Sequence, residues 1–268
     1  MTELLVDIGA NLPHDSFDDD LDQVIARASD AGITRIVVTG SNVESSRDAL
    51  ALARTRPGKL YATAGMQPHH ASDYSDAVRE TFAELIEDDT VVAVGECGLD
   101  YFRNFSSHED QRSAFESQLE LAVQSGLPVF LHQRDAHDDF VAALKPVMDK
   151  ISGGVAHCFT GDGDALQEYL AMGLYIGITG WICDERRGGT LREIVADIPL
   201  DRIMIETDAP YLLPRTLDPM PKTRRNEPAY LIEVLRVIAE AMQETETTVA
   251  QATTANAERF FGLAPPPS

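Results

Sequence analysis

Eight short apolar runs, each closing on a glycine or polar residue, recur along the 268 residues and leave few folds open to the chain. They are LLVDIG (4–9), ITRIVVTG (33–40), KLYATAGMQP (59–68), VVAVGECGLD (91–100), LPVFLHQRD (127–135), GGVAHCFTG (153–161), LYIGITG (174–180) and DRIMIETDAP (201–210). They are rich in β-branched residues and almost continuously hydrophobic. That is the pattern of parallel strands covered on both faces, not of antiparallel strands with one wet face. The intervening stretches carry helical periodicity: Leu21, Val24, Ile25 and Ala28 share one face, as do Phe82, Leu85 and Ile86, and Phe115, Leu119, Ala122 and Val123. Ser107 with Asp110 three residues on predicts a helix start, and Gly126 a helix stop.

Eight strand–helix units in about 250 residues predict a (β/α)8 TIM barrel. Helices over 227–243 and 247–260 would cover the last strand. An open doubly wound sheet is the alternative, but no GxGxxG follows the first run and no P-loop is present; GDGD at 161–164 reads as a turn. No linker interrupts the pattern, so a single domain over 1–264 is expected, followed by a disordered tail at 265–268.

The net charge of -22 argues against a broad basic face for nonspecific nucleic-acid binding, while leaving room for a local basic loop or a metal to hold a phosphate. Cys97, Cys158 and Cys183 lie far apart in apolar or glycine-rich runs, as reduced buried thiols do. No basic leader precedes the first run and no apolar span is long enough for a membrane, so a cytoplasmic protein is expected. No coiled-coil pattern calls for assembly, and a monomer is expected.

In a barrel the functional groups sit at the carboxyl ends of the strands, and Glu96, His132, His157 and Asp208 end the fourth, fifth, sixth and eighth runs. A buried carboxylate or imidazole is costly there unless it is paired or binds a metal. Convergence of four such groups predicts a divalent-metal site with Glu96, His132, His157 and Asp208 as ligands and Glu96 and Asp208 as catalytic carboxylates. Asp208 is the best placed to hold and deprotonate a water. The competing readings are core histidines satisfied by backbone, a Glu96–Arg134 pair, and Asp208 as a backbone cap. Oxygen and imidazole donors admit Mg2+, Mn2+ or Zn2+. Cys97 and Cys158 neighbour Glu96 and His157, and strand alternation turns each away from the site.

His69 and His70 in GMQPHH, Arg134 in HQRD, and Arg224 and Arg225 in PRTLDPMPKTRRNEP (214–228) are candidates for phosphate contacts. Lys222 adds a third cation to that last loop, which otherwise reads as a structural loop paired with nearby acids.

Several longer motifs, GECGLDYFRN (95–104), HQRDA (132–136), HCFTG (157–161), YIGITGWICDERRG (175–188), IETDAPYLLP (205–214) and RRNEPAYL (224–231), resemble those of the TatD-type metal-dependent deoxyribonucleases. The resemblance runs in order over essentially the whole chain. It implies a metal-dependent barrel hydrolase with 3'-5' exonuclease action on single-stranded DNA and extension to RNA. It also implies Glu96, His132 and His157 as metal ligands, with Mg2+ favoured, Asp208 as ligand or water activator, and His69 on the substrate side. Two motifs depart from the family pattern. Gly9 and Asn11 stand after Asp7 where most relatives carry a His-x-His pair, and Gln67 stands where a histidine usually precedes Pro68. Gln67 can hydrogen-bond a phosphate but cannot supply a proton as an imidazolium does. Hydrolysis of a non-nucleic-acid amide or ester on the same scaffold is the alternative enzyme class, and a non-enzymatic binding partner the alternative outside it.

Overall fold

The computed structural model describes residues 4–264, so the tail expected at 265–268 lies outside the described residues. All eight runs supply a strand: β1 Leu5–Ala10, β2 Ile33–Val38, β3 Leu60–Ala64, β4 Val91–Asp100, β5 Val129–Arg134, β6 Gly154–Ala156, β7 Tyr175–Ile178 and β8 Ile203–Ile205. Each pairs in parallel with the next, in sequence order. The sheet closes on itself where Asn11 N donates to Ala209 O (2.7 Å) and Asp208 N to Gly9 O (2.8 Å), beside the bridge Ala10–Ala209. The result is the (β/α)8 barrel.

The helices are α1 Leu21–Asp30, α2 Val43–Arg54, α3 Asp76–Leu85, α4 His108–Ser125, α5 His137–Leu144, α6 Gly163–Ala171, α7 Gly189–Ile194, α8 Leu231–Met242 and α9 Glu246–Phe261. Their ends follow local chemistry. The Ser107 hydroxyl accepts from Asp110 N at the start of α4, and Gly126, at φ 74°, ends that helix in the left-handed conformation. The fragment GDGD is a helix start and not a free turn, because the Asp162 carboxylate accepts from Ala165 N and caps α6.

Strand alternation sorts the core into two sets. Leu5, Ile33, Ile36, Leu60 and Leu131 belong to the layer that includes the helices. Val6, Ile8, Val37, Tyr61, Phe130, Val155 and Met204 form a separate cluster with Ala257, Phe261 and Leu263, from α9 and the residues after it. This second set fills the barrel interior, and Arg35, 1% exposed, donates to Glu258 and to the Ala264 carbonyl beside it. Two residues further along the same strand faces, Phe130 gives way to His132, Val155 to His157 and Met204 to Glu206. The interior thus turns from apolar to ionisable at the carboxyl ends of the strands. No helix among the described residues is long and apolar enough to cross a membrane.

Candidate active site

Glu96 from β4, His132 from β5 and His157 just beyond β6 bring one ligand atom each to within 4.8 Å of one another. Glu96 Oε1 lies 2.9 Å from His132 Nδ1 and 3.3 Å from His157 Nε2, and does not pair with Arg134. Burial opposes the charge on Glu96, but the two imidazoles outweigh it and hold the carboxyl well below its usual range. The same pairing raises both histidines against the effect of their own burial. His132 Nε2 is buried without a hydrogen-bond partner among the described residues; Asp100 Oδ2, 3.5 Å away, makes an ion-pair contact and not a hydrogen bond. A carboxylate oxygen and two imidazoles, one of them with an orphaned ring nitrogen, fit a divalent cation, and this donor set does not choose between ions.

Asp208 stands beyond β8 at φ 54°, in the left-handed region that non-glycine residues seldom adopt. It lies outside the group of three, and its Oδ1 accepts from the Asn11 amide at 3.0 Å. Burial pushes its carboxyl up to about 7, with His157 pulling it down and Glu96 and Glu206 pushing it further up.

Three acids at this mouth escape a reading of the sequence. Glu206 is fully buried, takes the Cys158 amide on Oε1 (2.5 Å) and lies 3.1 Å from His157 Nδ1 through Oε2. Oε2 is placed to accept from Nδ1 while Nε2 turns toward Glu96, the arrangement by which an outer carboxylate orients a ligating imidazole. Gly9 makes room for it, since a Cβ there would lie 2.5 Å from Glu206 Oε2. Asp100, at the end of β4, lies 2.8 Å from His69 Nε2. Burial disfavours its charge, yet His132, His69 and the Arg103 amide hold it well below the usual range. Asp7 is fully buried and accepts from Thr207 N (2.9 Å) and the Thr207 hydroxyl (2.5 Å); burial pushes it up to about 7. Taking one conspicuous ionisable residue from each of four runs passes over Glu206, two residues before Asp208, and over Asp100 and Asp7. Counting the interior parity of β8 forward from Met204 finds Glu206.

The expected substrate-side residues divide. His69, on a 3-10 turn over Pro68–Asp73 headed by Gln67, faces Asp100 and sets its ring edge-on against exposed Phe105 at 5.1 Å. His70 lies half-buried on the same turn. Arg134 is held between two rings, 4.9 Å from the centre of Phe102 and 5.1 Å from Trp181, at the edge of a cleft of about 520 Å3. Arg224 lines a second cleft. Arg225, also a candidate for phosphate contact, is engaged within the chain. Its guanidinium donates to both Asp20 oxygens (2.7 and 2.8 Å), to Glu227 (2.8 Å) and to the Ser16 carbonyl (2.5 Å), so it braces the loop after β8 against the one after β1. Cys97 is buried in the helix-facing layer, and Cys158, partly exposed, turns its Sγ to the Thr179 hydroxyl at 3.5 Å.

An eight-stranded parallel barrel with a Glu–His–His cation site at its carboxyl mouth defines a metal-dependent barrel hydrolase. The chain belongs to the TatD related DNase family, whose sequence profile matches residues 6–262. It is 50% identical over 260 residues to the 3'-5' ssDNA/RNA exonuclease TatD of Pectobacterium carotovorum subsp. carotovorum (strain PC1), covering 97% of this chain and 100% of that one. Identity to the protein of the same name from Erwinia billingiae (strain Eb661) is 51%, over 97% and 99% of the two chains. Among solved structures, YjjV, a TatD homologue from Escherichia coli K12, superposes with a TM-score of 0.89 at 30% identity, over 98% of this chain and 100% of that one.

Proposed function

We propose that the chain is a 3'-5' exonuclease that hydrolyses phosphodiester bonds of single-stranded DNA and of RNA, with Mg2+ as its ion and Mn2+ and Zn2+ as the other candidates. The observation that carries this is a Glu96–His132–His157 cation site beside Asp208, in a chain half identical over its full length to 3'-5' ssDNA/RNA exonucleases. Glu96, His132 and His157 would hold a divalent ion, which would supply charge neutralisation at the reacting phosphate and a lowered pKa for nearby water. Asp208 takes the proton of the attacking water, and the Asn11 amide, which donates to its Oδ1, holds the carboxylate in place. The water oxygen bonds phosphorus as the bond to the leaving oxygen breaks. His69 and Arg134 contact the phosphate and its neighbour, and Asp100 fixes the His69 ring. The working unit is a cytoplasmic monomer built as one domain over 1–264.

The test is hydrolysis of 5'-labelled single-stranded DNA by metal-stripped protein, before and after Mg2+, Mn2+ or Zn2+ is restored, with Asp208→Asn in parallel. Stepwise shortening from the 3' end that needs the metal, and that falls by roughly 10²- to 10⁴-fold in the variant, is the expected result. Turnover of amide or ester substrates with none of DNA or RNA would instead establish the alternative enzyme class.

A further inference from the structure

The chain carries 44 acidic against 22 basic side chains, yet one cleft at the barrel mouth has the opposite balance. Between the loop after β7 and the loop after β8, Arg186, Arg187, Arg215 and Arg224 line a space of about 450 Å3. Two carboxylates answer these four guanidinium groups. Asp184, 2% exposed, accepts from Arg186 (3.1 and 3.2 Å) and Arg187 (2.9 Å), and Glu185 accepts from Arg215 (3.1 Å). The buried carboxylate lies beneath its arginines, whose side chains are 60% and 50% exposed, so solvent meets N–H groups and not oxygen. Arg224 has no hydrogen bond or ion pair among the described residues.

The cleft is built rather than a chance gap. A Cβ on Gly180 would lie 2.1 Å from the Leu212 carbonyl, so only glycine lets the two loops meet, and Leu212 itself holds φ 55°. Leu212, Leu213 and the exposed Met220 give the space an apolar wall. Arg187 stacks on Trp181 at 4.2 Å, and the same indole carries Arg134 at 5.1 Å. A path of guanidinium groups thus leads from Arg134, two residues past His132, out to Arg224.

We propose that this arginine cleft binds the sugar-phosphate backbone of a single strand several nucleotides from the scissile bond, and so makes the protein sensitive to substrate length. The inference rests on the nuclease reading above. Several guanidinium groups beside an apolar wall suit successive phosphates with bases laid alongside, whereas one phosphate would need a single fork.

The experiment measures binding of a fluorescent ten-nucleotide phosphorothioate oligothymidylate, and of the matching dinucleotide, to the full chain with Mg2+. The variant is Arg215→Gln/Arg224→Gln, which leaves the buried Asp184 its hydrogen bonds from Arg186 and Arg187. Arg54→Gln/Lys150→Gln, with the same charge change away from the mouth, is the control. Affinity for the ten-nucleotide strand is expected to fall about tenfold in the cleft variant, and its salt slope by about 1.4, at roughly 0.7 per phosphate contact on a single strand. The dinucleotide and the control change less than about twofold. Equal weakening at both lengths, or none, overturns the proposal. Displacement of the long strand by thymidine diphosphate at matched concentration also overturns it, in favour of a free-nucleotide site. Length-dependent binding with no hydrolysis of the unmodified ten-nucleotide strand under the same conditions would overturn the nuclease reading and leave the cleft standing.

Discussion

On the β4–β6 side of the mouth a carboxylate faces two imidazoles, whereas on the β1–β8 side Asp7 and Asp208 face a hydroxyl, an amide and backbone N–H groups. Neutral donors satisfy the lone pairs of a carboxylate without compensating its charge. The consequence is visible in the acids themselves: Glu96 and Asp100 are held well below their usual range, and burial lifts Asp7 and Asp208 to about 7. One half of the ring therefore carries the donor set that fits a cation, and the other holds carboxyls that burial pushes toward their neutral form. Glu206 joins the halves, since it stands on β8's side and touches His157.

Removing a ligand from the half with the donor set should do the most. Glu96→Ala is expected to weaken divalent-ion binding by more than about 100-fold in calorimetry, beyond the range seen when only a ligand's outer partner is lost. Asp7→Asn, in the other half, should leave that affinity nearly intact; the reverse ranking would break the comparison. Glu206→Gln tests the joint between the halves. It should lower metal affinity roughly 10- to 100-fold and move the His157 ring-nitrogen resonances, because the Nδ1 partner loses its charge. Unchanged resonances would show that Glu206 does not set the imidazole.

Gly9→Ala probes the same contact from β1. Its Cβ would meet Glu206 Oε2 at 2.5 Å and the Phe130 ring at 3.1 Å, so a loss of about 1–3 kcal/mol in denaturant unfolding is expected. Full stability would mean that Glu206 can step aside at little cost. The smallest effect concerns the brace on the β1–β8 half. Hydrogen bonds from Arg225, then from Arg27, hold Asp20 down to about 2. A carboxylate lowered in the folded state contributes stability above its unfolded pKa, near 4, and loses it as pH falls through about 2. The difference in urea midpoint between the parent and Asp20→Asn should therefore be present at pH 5 and shrink toward pH 2. A difference that holds constant over that range would assign the brace no electrostatic part.

The strands were legible because barrel strands are buried on both faces, which turns each into an apolar run that period-two alternation does not interrupt. The candidate ligands were legible for the same reason, as Glu96, His132, His157 and Asp208 are conspicuous against such runs. Glu206 was not, because beside Asp208 a second acid reads as part of one polar strand end. Asp100 gave no signal either, since its partner His69 lies 31 residues away. The pairing of Arg225 gave no signal: it shares a basic loop with Lys222 and Arg224, while the acid that binds it, Asp20, is 205 residues distant. Pairings over that range are a property of the closed barrel.

The barrel's floor comes from the far end of the chain. Phe261 and Leu263 complete the interior cluster with Val6 and Ile8, Thr254 donates to the Leu4 carbonyl, and Arg35 reaches the Ala264 carbonyl. During synthesis the first strands therefore wait for the last residues to leave the ribosome, with their inward apolar faces unsealed until then. The fold is closed by its final helix as a vessel is by its stopper, and a nascent chain halted before α9 would be a client for chaperones.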